Sequence, residues 1–220
     1  MTHEEYLNLG FGCCSFGNYK KAIECFEKAI ALKPNDAEAY YGCAMVYNEM
    51  GNEYCKKGNY DESIRCYEKA IEFKPDYATA HYNVGNVYLN KGNFDKAIEC
   101  YKKAIKFKPD DAAKVYQTYS NMGAAYLNKG NYDDAINCYE KVTDLKLDNA
   151  ITAMAYQNMG TVNYKKGSYD KAEKCFGKAY ELNNDSVYAF YYMRGLEYQR
   201  KGNQDKANEC FQKAKLSTFY

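Results

Sequence analysis

Apolar and small residues along this chain fall three and four apart, on one face of a helix, and these stripes come in pairs. In 78–111 the first stripe is His81, Val84, Gly85 and Tyr88, and the second is Ala97, Tyr101, Ala104 and Ile105. Lys91, Gly92 and Asn93 lie between them, where a glycine ends the first helix. The spacing predicts two antiparallel helices joined by a tight turn. Lys57, Lys91, Lys129, Lys166 and Lys201 close first helices, where a cation suits the dipole. Asp61, Asp95, Asp133, Asp170 and Asp205 share one place and are expected to cap second helices. Pro34, Pro75 and Pro109 are placed to stop them.

The paired pattern recurs with a 34-residue period over 3–36, 44–77, 78–111, 116–149, 153–186 and 188–220. Place eight is always glycine (Gly10, Gly51, Gly85, Gly123, Gly160, Gly195), and so is place fifteen (Gly17, Gly58, Gly92, Gly130, Gly167, Gly202). Small residues at places eight, twenty and twenty-seven let the helices of a pair approach closely. The aromatic at place twenty-four (Phe26, Tyr67, Tyr101, Tyr139, Phe176, Phe211) fills the gap they leave. Most aromatics recur at such fixed places, which makes them core.

These residues resemble the tetratricopeptide repeat (TPR) family, whose signature is W-x2-L-G-x2-Y, then A-x3-F, then P. Tyr or His stands where the family has Trp, and the chain contains no Trp. The resemblance implies an all-α solenoid of six antiparallel helix pairs forming a right-handed superhelix. First helices would line its concave face and second helices its convex face. No repeat can bury its apolar face alone, so 1–220 is expected to be a single array.

The copies are unevenly spaced. Seven residues, Ala37–Cys43, separate the first two, with four (Ala112–Val115), three (Ala150–Thr152) and one (Val187) between later ones. None contains Pro, so they read as extra turns at the start of first helices. The long helix over Ala37–Lys57 would be roughly 10 Å longer than its neighbours and is expected to project beyond one rim. Ser63 and Val142 replace Ala, and Cys13 and Asn163 replace Tyr. Thr2 and Glu5 form a capping box. The sequence ends at Ser-Thr-Phe-Tyr without a polar capping helix, the expectation for a fragment or a self-associating end.

Thirty basic and 29 acidic residues give a net charge of +1, which argues against nucleic acid or an anionic membrane as the partner. No apolar run approaches the length of a membrane helix, and Met1–Gly10 has no signal-peptide pattern. Cys25, Cys66, Cys100, Cys138, Cys175 and Cys210 share place twenty-three, so a whole helix separates neighbours and disulfides are not expected. With no C-x-x-C and only His3 and His81, neither a metal site nor a catalytic set suggests itself. No cofactor, metal or small-molecule substrate is expected. The thiols suit a reducing cytoplasm. Gly10-Phe11-Gly12 lies inside a helix and carries no nucleotide signal. Asn184-Asp-Ser186 is a glycosylation sequon, relevant only to a secreted chain.

With first helices lining the groove, places two, five, six, nine, twelve and thirteen face a ligand. Asn8, Asn83, Asn121 and Asn158 share place six, with Glu49 and Met193 breaking the ladder. An Asn amide offers an acceptor and two donors, and so suits the unpaired N–H and C=O of an extended chain. Around the ladder lie Asn52, Asn86, Asn90, Asn128, Gln157 and Thr161, with Tyr82, Tyr164 and Tyr192 as flat contacts and Lys56, Lys165 and Arg200 as cations. The lysines with which family members clamp a C-terminal carboxylate are missing: place five holds Leu7, Asn48, Tyr82, Ser120, Gln157 and Tyr192. The expectation is a non-catalytic protein-interaction module for an extended peptide. The alternatives are homo-oligomerisation through the long repeat-two helix or the C-terminal end, and the targeting arm of a larger enzyme.

Overall fold

The computed structural model describes residues 1–108, 111–183 and 186–216, and among these every element is helical. The chain divides into two compact units, Met1–Asp111 and Ala112–Tyr220. The first holds α1 (His3–Ser15), α2 (Tyr19–Leu32), α3 (Ala37–Lys56), α4 (Tyr60–Phe73), α5 (Ala78–Asn90) and α6 (Phe94–Lys106). The second holds α7 (Ala112–Lys129), α8 (Tyr132–Asp144), α9 (Asn149–Lys165), α10 (Tyr169–Leu182), α11 (Val187–Arg200) and α12 (Gln204–Leu216). Each unit is three helix pairs, stacked so that every helix packs on its neighbours in sequence.

Each pair turns on the place-fifteen glycine, with φ from 71° at Gly17 to 80° at Gly130, a conformation glycine adopts without a Cβ penalty. The turn also sets the cap. The N-cap is the residue directly after the glycine (Asn18, Asn59, Asn93, Asn131 and Ser168), not the Asp expected from sequence. Asn18 and Asn93 accept from the amides of Lys21 and Lys96 at 3.4 and 3.2 Å. Asp61, Asp95, Asp133, Asp170 and Asp205 lie inside the first turn, where they face the positive end of the dipole. From there Asp61 reaches Lys91 of the next repeat at 2.6 Å, and Asp133 reaches Lys166. Pro34 and Pro75 directly follow the caps of α2 and α4; Pro109 and Asn184 lie outside the described residues.

The place-twenty-four ring lies flat over the place-eight glycine of its own pair. A Cβ on Gly51 would stand 2.5 Å from the Tyr67 ring, and one on Gly160 2.7 Å from the Phe176 ring. The ring can occupy that space only because the glycine has no side chain. Alanines seal it: Ala22, Ala29, Ala97, Ala104, Ala172 and Ala179 are fully buried.

The extra turns are helical, and α3 is 20 residues long against 13 for α1. The extra turns of α3 do not project. Ala39 and Cys43 are fully buried in one cluster with Phe26, and a Cβ on Gly42 would lie 2.6 Å from that ring. Phe26 is thus covered by Gly10 on one side and Gly42 on the other. The departures from the repeat are also satisfied. Ser63 donates to the Gly51 carbonyl at 2.8 Å, and Asn163 to the Met159 carbonyl at 2.9 Å. All ten cysteines are free thiols. Burial pushes Cys43 up to about 12 and Cys100 up to about 11, so both stay protonated near neutrality.

Candidate peptide-binding faces

In the first unit the first helices meet directly across repeats, α1 on α3 and α3 on α5, and the second helices approach one another less. The first-helix side is therefore the inner curve of that unit. On it the ladder residues differ in what they are free to do. Asn8 is exposed and makes no side-chain hydrogen bond among the described residues. Asn83 is half-buried, and its Nδ2 donates to Asn48 Oδ1 at 2.9 Å and to Asn52 Oδ1 at 3.2 Å. Asn48, only 2% exposed, and Asn52 each donate in turn to the Glu49 carboxylate at 3.3 Å.

The core reaches this face through its tyrosines. Where place twenty-four is Tyr and place nine is Asn, the phenol passes through the pair and donates to the amide: Tyr67 to Asn52 Oδ1 at 2.7 Å, Tyr101 to Asn86 Oδ1 at 2.8 Å. Burial lifts the Tyr67 phenol to about 12, which keeps it a donor. The groove residues Asn52 and Asn86 therefore have their acceptors committed internally. Sequence reasoning missed this link, although the joint occurrence of Tyr at place twenty-four and Asn at place nine signals it. Tyr82 is half-buried, its ring 5.9 Å from that of Tyr101. Lys56 stands exposed at the end of α3.

In the second unit Asn121 and Asn158 are half-buried on α7 and α9, and Asn158 makes no side-chain hydrogen bond among the described residues. Gln157 Oε1 accepts from Ser186 at 3.4 Å, and the Thr161 hydroxyl meets that of Tyr188 at 2.9 Å. Tyr192 is a correction to the expected contact surface. It is 6% exposed, with its ring 4.7 Å from both Phe176 and Tyr188. The small side chains of Ala172, Ala179 and Ala189 leave room for it, so it belongs to the core cluster. Tyr164 borders the same cluster, 5.2 Å from Phe211, but stays half-buried. Lys165 is exposed. Arg200 is held by Glu173 and, at 3.5 Å, by Asp170. It also borders a cleft of about 370 Å³ with Tyr169, Leu196 and Gln199.

Among the described residues no three His, Cys, Asp or Glu side chains gather as metal ligands would. No described helix is long and apolar enough to cross a membrane.

Sequence profiles of the TPR repeat match residues 13–51 and 51–92, and those of the tetratricopeptide repeat match 78–111, 114–185 and 188–216. No curated protein matches the sequence. Among solved structures, MamA is similar at 28% identity and a TM-score of 0.61, over 77% of this chain and 97% of MamA. YrrB, described as a TPR protein with an unusual peptide-binding site, shares 24% identity with a TM-score of 0.61, over 87% of this chain and 91% of YrrB. MamA of Desulfovibrio magneticus RS-1 shares 22% identity with a TM-score of 0.56, over 83% and 95%.

Proposed function

The chain belongs to the tetratricopeptide repeat family, and from that premise we propose that it is a non-catalytic protein-interaction module whose first-helix faces hold an extended peptide segment. The observation that carries the reading is the pair of unengaged amides at one repeat place, Asn8 in the first unit and Asn158 in the second. Each can meet a backbone N–H and C=O together, which suits a strand whose own groups are unpaired. YrrB supports the reading only in that the same fold carries a peptide-binding site there. The cytoplasm is the compartment this reading assumes, in keeping with ten free thiols.

Self-association through the long helix is the weaker reading, because Ala39, Gly42 and Cys43 of the extension are buried in their own unit. The C-terminal Ser-Thr-Phe-Tyr lies outside the described residues.

The test is an affinity capture from lysate read by mass spectrometry. It compares the chain with a variant carrying Asn→Ala at 8, 83, 121 and 158, after circular dichroism shows equal helicity. Partners lost by the variant support the groove. A variant that keeps every partner overturns it.

A further inference from the structure

Place six holds Asn in four repeats, and the one charge that interrupts it is Glu49. The hydrogen bonds around Glu49 all run in one direction. Tyr67 donates to Asn52, Asn83 donates to Asn48 and Asn52, and Asn48 and Asn52 donate to Glu49. Each donor group is turned toward another member of the network. Apart from the second N–H of half-buried Asn52, what the network leaves outward is acceptor: the carboxylate of exposed Glu49, whose oxygens keep free lone pairs, and Asn83 Oδ1.

Glu53 extends this surface. It lies one turn on along α3, exposed, and neither glutamate makes an ion pair among the described residues. Both face the junction of α1 and α2. Burial raises the Cys14 thiol and Glu49 raises it further; burial also raises the Tyr19 phenol, which Glu53 raises further by its charge and by a hydrogen bond, with Glu49 adding to it. Lys56, three residues beyond Glu53, makes no ion pair with either. The two carboxylates stand four apart on one helix face, where like charges repel.

We propose that the groove of the first unit selects a cationic side chain, Lys or Arg, on the extended segment, seated on Glu49 with Glu53 beside it. This rests on the reading of the groove as a peptide site and names the class of peptide. An ammonium or guanidinium group brings only donors to the acceptors of Glu49, Glu53 and Asn83 Oδ1, and relieves the repulsion between the glutamates. Two amides already fix the Glu49 carboxylate, so little side-chain freedom is lost on binding. An acidic segment would be repelled.

The experiment presents a display library of short random peptides to the full chain and to a Glu49→Gln, Glu53→Gln variant of equal helicity and melting temperature. Retained peptides are sequenced, and the commonest is titrated against both proteins at low and high salt. The expected result is enrichment of Lys or Arg at one position with the unaltered chain and its loss with the variant. The titrated peptide should bind the variant about tenfold more weakly, with the difference shrinking in high salt. Peptides retained without basic enrichment, or with enrichment the variant keeps, overturn the cation preference and leave the groove standing. A chain that retains no peptide overturns the groove reading and the preference with it.

Discussion

Phe26 and Tyr67 occupy the same repeat place, and a single hydroxyl separates their roles. Phe26 only packs, between Gly10 and Gly42. Tyr67 packs on Gly51 and also hands a hydrogen bond to the groove at Asn52. Tyr67→Phe should therefore cost about 1 kcal/mol in urea unfolding, and a double-mutant cycle with Asn52→Ala should recover a coupling of similar size. Independent, additive effects would contradict the link. The same logic divides the ladder. Asn8→Ala and Asn158→Ala should leave stability within about 0.5 kcal/mol, because neither amide has an internal bond to lose. Asn83→Ala should cost about 1–2 kcal/mol by stranding Asn48 Oδ1, whereas Asn52 Oδ1 keeps its bond from Tyr67.

His81 carries a pH dependence of known sign. Its Nε2 donates to the Pro75 carbonyl at 2.9 Å, and its ring stacks on Phe107 at 5.2 Å. Burial lowers its pKa from the ordinary 6.5; the Pro75 bond opposes this, and Lys103 adds to it. The fold thus prefers the neutral ring, and the unfolded chain takes up the proton first as pH falls. The contribution is full above 6.5 and is lost as pH drops toward the lowered folded value. Asp61, Asp76 and Glu99 are held below their ordinary carboxylate values by lysine partners. Melting temperature should fall from neutral to mildly acid pH. His81→Tyr, the residue at this place in Tyr47 and Tyr119, should flatten that slope.

At the scale of the helix, α3 separates what a repeat pattern reveals from what it hides. Its length was legible, because Ala37–Cys43 contains no Pro and continues the apolar stripe. Its burial was not. Gly42 lies outside the 34-residue register, so nothing in the alignment of copies marks it as the second cover of Phe26. Gly42→Val should cost about 1–3 kcal/mol through overpacking, read by urea unfolding, whereas a freely projecting helix would tolerate it. The capping error has a related origin. Asn or Ser and Asp are all good caps and stand two residues apart at the starts of α4, α6, α8 and α10, so composition alone cannot choose between them. The positive φ of the preceding glycine decides, since it leaves the very next residue, Asn or Ser168, at the helix start.

Across the whole molecule, the six pairs were legible because two glycines, an aromatic and two small residues recur at fixed places. The candidate site was less so. A single register describes which face a side chain takes, and Asn8 is exposed and Asn158 half-buried. It does not describe which neighbours fill that face. Between α10 and α11 the packed rings of Phe176, Tyr188 and Tyr192 draw a nominal groove position into the core. Charge is balanced overall at +1, so selectivity must come from local groups such as Glu49 rather than from a long-range field.

The most direct measurement is calorimetric titration of one captured segment, as a synthetic peptide, against the chain and against the Asn8→Ala, Asn158→Ala variant. These two substitutions touch no internal bond, so any loss of affinity is a loss of ligand contacts. Backbone recognition at the groove predicts at least about tenfold weaker binding at unchanged melting temperature. Equal affinity for both proteins would contradict it.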